Sequence, residues 1–62
     1  MAKSPAIEQA FTLARSGHYR SVSEIVRRLP ADVRPEVEAW LATPAARREL
    51  ILVCSDAWLA NN

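Results

Sequence analysis

A lone cysteine in a chain of 62 residues is the tightest constraint on what this protein can fold into. Domains this small bury a modest fraction of their surface, so a disulfide, a metal or a second subunit usually supports them. Cys54 has no partner for an intrachain disulfide. His18 is the only histidine, and with Cys54 it makes two strong ligands where a structural zinc site wants about four. No metal and no cofactor are therefore expected. Stability must come from close packing or from self-association.

Half of the residues are hydrophobic, which argues against disorder. The longest uncharged apolar run, Leu50 to Cys54, is far short of the roughly 20 residues of a membrane span, so no membrane partner is expected. The opening Met1-Ala2-Lys3-Ser4-Pro5 lacks an apolar signal core. A free cysteine suits a reducing compartment, and the expectation is a cytoplasmic protein.

The apolar spacing predicts an all-α fold: one domain, a compact bundle of four short helices at about 5–16, 22–29, 33–42 and 44–59. There is no alternation of period two, and one glycine is too few for hairpins. The first helix starts with Ser4 as cap and Pro5 in the first turn. It carries Ile7, Ala10, Phe11 and Ala14 at helical spacing, and ends at Gly17, the only glycine, where a left-handed cap is wanted. The second opens on Ser21-Val22-Ser23-Glu24, the pattern of a reciprocal capping box. Its stripe is Val22, Ile25, Val26 and Leu29, and Pro30 stops it. The third has Asp32 as candidate cap, Pro35 in the first turn, and Val33, Val37, Trp40 and Leu41 on one face.

The fourth helix, from Thr43-Pro44, is apolar on several sides. Leu50, Val53, Cys54 and Ala57 form one stripe, Ile51 and Trp58 a second, Leu52 and Leu59 a third. A chain this short has too little other protein to cover all three. Ile51, Leu52, Trp58 and Leu59 are the candidate surface for a homodimer or a protein partner. The expected core is Ile7, Phe11, Ala14, Val22, Ile25, Leu29, Val37, Trp40, Leu41, Leu50 and Val53.

Net charge is only +1, but its distribution is uneven. Residues 1–28 carry five basic and two acidic groups, or +3; residues 29–62 carry three basic and five acidic groups, or −2. Arg15 ends the first helix, Arg20 follows His18 and Tyr19 in the turn, and Arg27 and Arg28 end the second helix. Arginines beside a tyrosine suit phosphate and base contacts, so these four are the candidate nucleic-acid contacts. The plainer reading is that cations favour helix C-termini through the dipole. Arg47 and Arg48, early in the fourth helix, read as solvated surface.

Nothing points to catalysis, and no small-molecule substrate is expected. His18 has Ser16 and Ser21 as hydroxyl neighbours but no third group to orient it. Cys54, flanked by apolar residues, reads as an inert buried thiol. Glu36 and Glu38, two apart, face different sides of a helix and do not form an acid/base pair. One glycine cannot build a phosphate loop.

The run from Ala6 to Leu29, an apolar helix, Ser16-Gly17, a short loop and then Ser21-Val22-Ser23-Glu24-Ile25-Val26-Arg27-Arg28-Leu29, resembles the opening of small bacterial and phage helix-turn-helix domains. The resemblance covers under half the chain and implies a DNA-binding domain in which the helix after the second enters the major groove. Here that segment, Ala31 to Glu38, holds three acids and one arginine. DNA contact is accordingly expected from the second helix and the 15–20 turn. Two functions are expected in competition. One is a helix-turn-helix-like DNA-binding regulator acting as a homodimer. The other is a protein-interaction module, a small regulator or inhibitor docking through the apolar C-terminal helix.

Overall fold

The computed structural model describes residues 4–61; Lys3, counted in the basic half, lies outside them. Four helices follow one another: α1 (Pro5–Arg15), α2 (Val22–Arg28), α3 (Arg34–Trp40) and α4 (Pro44–Asn61). The described residues contain no strand. The Cα radius of gyration is 10.7 Å, against about 10.6 Å expected of a packed domain of this length.

Helix α1 forms as its capping residues dictate. Ser4 is extended and its side chain accepts a hydrogen bond from the Ile7 amide at 3.3 Å. Pro5 occupies the first turn, where its missing N–H costs nothing. Ile7, Ala10, Phe11 and Ala14 are buried, and Ala6 joins them. Gly17 is left-handed at φ +77°, directly after the Ser16 cap. This helix is the hub, packing against α2, α3 and α4.

The capping box on α2 does not close. Ser21 is the N-cap, but its side chain makes no capping hydrogen bond. Its extended backbone starts the helix all the same, with the Ser21 carbonyl accepting from the Ile25 amide at 3.3 Å. The helix ends at Arg28, one residue before the expected boundary. Leu29 precedes Pro30, and its ψ of 146° is the extended geometry that proline imposes on its predecessor.

Helix α3 is shorter than the expected 33–42. The Pro30 carbonyl accepts from both Val33 and Arg34, so the chain turns once before the helix begins. Val33, rather than Asp32, is the N-cap, without a side-chain bond. Helix α4 is longer than expected, reaching Asn61 instead of about Leu59.

The core is formed by Ile7, Phe11, Ile25, Leu29, Val37, Leu41, Leu50 and smaller residues, all under a tenth exposed. Phe11 meets Trp40 edge-on, ring centroids 5.5 Å apart and planes at 64°. Val22, Trp40 and Val53, expected inside, are half-buried at its margin. Ala6, Ala10 and Ala46 are buried beyond the expected core, and Cys54 is buried as its apolar neighbours predict.

The C-terminal half of α4 closes over the α1–α2 turn. The Cys54 thiol donates to the Tyr19 carbonyl at 3.2 Å, and Asn61 Nδ2 donates to the Gly17 carbonyl at 3.2 Å. The long helix thereby fixes the turn that carries His18, Tyr19 and Arg20.

Candidate interaction surfaces

Two of the seven arginines serve the fold. The last carbonyls of a helix have no partner within it. Arg34, at the start of α3, reaches back so that Nη2 donates to the Leu29 carbonyl at 3.0 Å and to that of Arg27 at 3.4 Å. Arg47, in the first turn of α4, donates through Nε to the Leu41 carbonyl at 3.2 Å. Each arginine sits where its own helix dipole slightly disfavours it and stabilises the end of the helix before. Arg47 is exposed, as expected, and makes this bond in addition. The signal was available in the sequence: a basic residue five to seven positions past a helix end, early in the next helix.

Arg15, Arg20, Arg27 and Arg28 are all exposed, but the structure distributes them. Arg27 and Arg28 line a small cleft of about 280 Å³ with Tyr19, and Glu24 shares it. Arg20 lines a different cleft, of about 460 Å³, together with Arg47. Arg15, on the last turn of α1, lines none of these. The exposed residues of α3 include Glu36 and Glu38, and the helix has no base in its last turn.

The sequence reading missed a groove. The cleft with Arg20 and a second of about 540 Å³ share Val22, Ser23, Leu41 and Arg47, and so form one furrow between α2, the end of α3 and α4. Val22, Val26, Leu41 and Ile51 give it an apolar floor. Its rim carries Arg20, Arg27 and Arg47 against one carboxylate, Glu38. No periodicity within a single helix could reveal it, because three separated segments supply the walls.

The outer face of α4 keeps its apolar residues in water. Ile51 is 43% exposed, Leu52 57% and Leu59 72%. Leu52 and Leu59 lie on the side opposite Ala46, Leu50 and Cys54, the residues α4 buries, and Ile51 lies between the two sides. Trp58 is half-buried.

Of the candidate reactive side chains, Cys54 is buried and His18 is exposed. Burial, and then the nearby Glu24 charge, push the Cys54 thiol above its ordinary pKa. Its hydrogen bond goes to a backbone carbonyl rather than to a base. A thiol held protonated is a poor nucleophile. His18 is exposed, its amide bonded to Ser16 Oγ at 3.2 Å. Among the described residues no group of three or more His, Cys, Asp or Glu could hold a metal ion. No helix there is long and apolar enough to cross a membrane.

Comparison with known proteins adds no relative: no family model matches the chain, and neither does any curated protein or solved structure.

Proposed function

We propose that this chain is a non-enzymatic protein-interaction module, a small regulator whose α2–α3–α4 groove takes an acidic, amphipathic segment of a larger protein. The observation that carries this reading is the pairing of an apolar floor with a rim of three arginines and one carboxylate. Apolar side chains of the segment would cover Val22, Val26, Leu41 and Ile51, which supplies the driving force. Its carboxylates would meet Arg20 and Arg27, whose planar guanidinium groups donate to carboxylate oxygens bidentately. Such rim charges contribute mostly to association rate and to choice of partner. The reading assigns the module to a reducing compartment such as the cytoplasm, where its lone thiol stays free.

The test is an amide NMR titration with a synthetic helical peptide of leucines and glutamates, beside a control with lysine for glutamate. Shifts are expected at Val22, Leu41 and Ile51 with the acidic peptide only. The pair Arg20→Glu and Arg27→Glu should weaken binding at least tenfold. Equal response to both peptides, or none to either, rejects the groove as the site.

A second reading, a helix-turn-helix-like protein binding nucleic acid as a homodimer, is favoured by the cleft that joins Tyr19 to Arg27 and Arg28. With α3 acidic, contact in this reading is to phosphate alone, through Arg15, Arg20, Arg27 and Arg28. It requires duplex DNA to shift residues 15–28 at about 50 mM salt and much less at about 200 mM. Arg27→Ala with Arg28→Ala must abolish the effect.

A further inference from the structure

The outer face of α4, which meets the groove at Ile51 and Ser55, has a symmetry of its own. Ser55, exposed and small, is its midpoint. Three residues away on either side stand Leu52 and Trp58, and four away stand Ile51 and Leu59. These are the positions that share a helix face with Ser55. All four are large and apolar, Ile51, Leu52 and Leu59 are exposed, and Trp58 is half-buried. From Ile51 to Leu59 the only charged residue is Asp56.

We propose that α4 pairs antiparallel with α4 of a second copy, across a two-fold axis at Ser55. A two-fold interface must be self-complementary, so that if one residue meets another the reverse contact also exists. An antiparallel pair centred on Ser55 meets this condition at each large position. Ile51 faces Leu59 of the other copy, Leu52 faces Trp58, and each contact occurs twice. At the crossing Ser55 meets itself, and its small side chain lets the two helices approach closely, since interaxial distance depends on the residues in contact. Moving the centre by one residue, to Cys54, opposes Ile51 to Ala57 and Leu52 to Asp56, which pairs an apolar group with a charge. The sequence thus selects the register as well as the face.

Four apolar side chains a side fall well short of the roughly 1,600 Å² of a standard interface. The dimer is therefore weak and depends on concentration. Asp56 flanks the crossing and stays in water, so pairing does not require a buried charge.

Sedimentation equilibrium over about 10 μM to 1 mM, a range that covers weak self-association, tests the proposal. A reversible monomer–dimer equilibrium is expected, and Leu59→Glu should raise its dissociation constant at least tenfold. Since Leu59 is exposed, circular dichroism should show this variant fully helical. Register is read from cross-linking in a Cys54→Ala background with a short bismaleimide, sized to the about 8–10 Å between packed helices. Ser55→Cys should cross-link to dimer several-fold faster than Leu52→Cys. A monomer throughout the range overturns the proposal, as does a dimer unaffected by Leu59→Glu. Equal cross-linking of the two cysteine variants overturns the register. In the peptide titration Val22 and Leu41 report on the groove alone, since neither belongs to the seam, so either proposal can fail alone.

Discussion

Replacing Gly17 with alanine tests how the fold is held, because two separate costs fall on one methyl group. Gly17 has φ +77°, and a Cβ placed there would lie 2.9 Å from the Ala57 carbonyl oxygen and 2.9 Å from Asn61 Cβ. The left-handed conformation costs a residue with a Cβ on the order of 1–2 kcal/mol. Contacts of 2.9 Å must also be relieved. The Ala57 oxygen belongs to helical backbone and cannot swing aside, so α4 has to move as a body. Overpacking of this kind typically costs about 1–3 kcal/mol. Displacing α4 also lengthens the Asn61–Gly17 and Cys54–Tyr19 hydrogen bonds.

The sum is roughly 2–5 kcal/mol, against a total stability of roughly 3–9 kcal/mol for a domain of this size. Gly17→Ala should therefore remove about half the stability and lower the melting temperature by roughly 10 °C or more. Urea denaturation followed by tryptophan fluorescence and by far-ultraviolet circular dichroism measures it. Asparagine tolerates the left-handed region but brings the same Cβ, so Gly17→Asn should fall between glycine and alanine. An alanine variant within about 0.5 kcal/mol of the parent, the range of ordinary surface changes, would refute the close approach of α4 to the turn. An asparagine variant as stable as the parent would leave the backbone angle as the sole cost.

Arg47→Ala and Arg34→Ala should each cost about 1–3 kcal/mol in the same urea assay, the worth of a hydrogen bond from a charged group, while the exposed Arg48→Ala should stay within about 0.5 kcal/mol. The Cys54 thiol, its pKa raised by burial, should resist iodoacetamide at pH 8 until urea unfolds the chain; rapid labelling of the native protein would contradict the burial. A raised folded pKa means the folded state holds the proton more tightly, so its stabilising contribution is complete below the unfolded value near 9 and is lost as pH rises through the folded one. Denaturation midpoints should then fall above pH 9 for the parent more steeply than for Cys54→Ala. Ile51 and Ser55 line both the groove and the proposed seam, so acidic-peptide affinity should decline as protein concentration rises into the dimer range; concentration-independent affinity would separate the two surfaces.

The helices were legible in the sequence because their determinants are local. Ser4-Pro5, Gly17, Pro30 and Pro44 mark helix boundaries, and each acts through its own backbone angles or those of one neighbour. The apolar stripes gave Ile7, Phe11, Ile25, Leu29, Val37, Leu41 and Leu50 as buried, because one helix suffices to define a face. Features needing several segments escaped. Ser21-Val22-Ser23-Glu24 has the spacing of a capping box, but spacing does not fix the side-chain rotamers, and the Ser21 cap bond is not made. Asp32 has cap chemistry but lies inside a turn closed on the Pro30 carbonyl. Ala46 is buried although it stands on none of the stripes read in α4, whereas Cys54, read as a buried thiol from its apolar neighbours, is buried and bonded to the α1–α2 turn. The weak amphipathicity of α4 was visible, and the exposure of Ile51, Leu52 and Leu59 agrees with it.

The arginines bring these levels together. A cluster of arginines at the end of a helix has a plain explanation, that they stabilise unpaired carbonyls and the negative end of the dipole. At the end of α2 that explanation is weakened, because Arg34 already donates to the carbonyls of Arg27 and Leu29. At the end of α3 the same task falls to Arg47. The side chains of Arg27 and Arg28 are thus not needed as caps for their own helix, and both remain exposed. Arg27 stands between the groove and the small cleft with Tyr19, lining both. A guanidinium group released from a structural task and set beside an apolar floor is suited to a ligand that is itself both apolar and anionic. DNA offers the anion without the apolar partner, and an acidic amphipathic helix offers both. The groove reading therefore rests less on how many arginines the chain carries than on which of them the fold has left unspent.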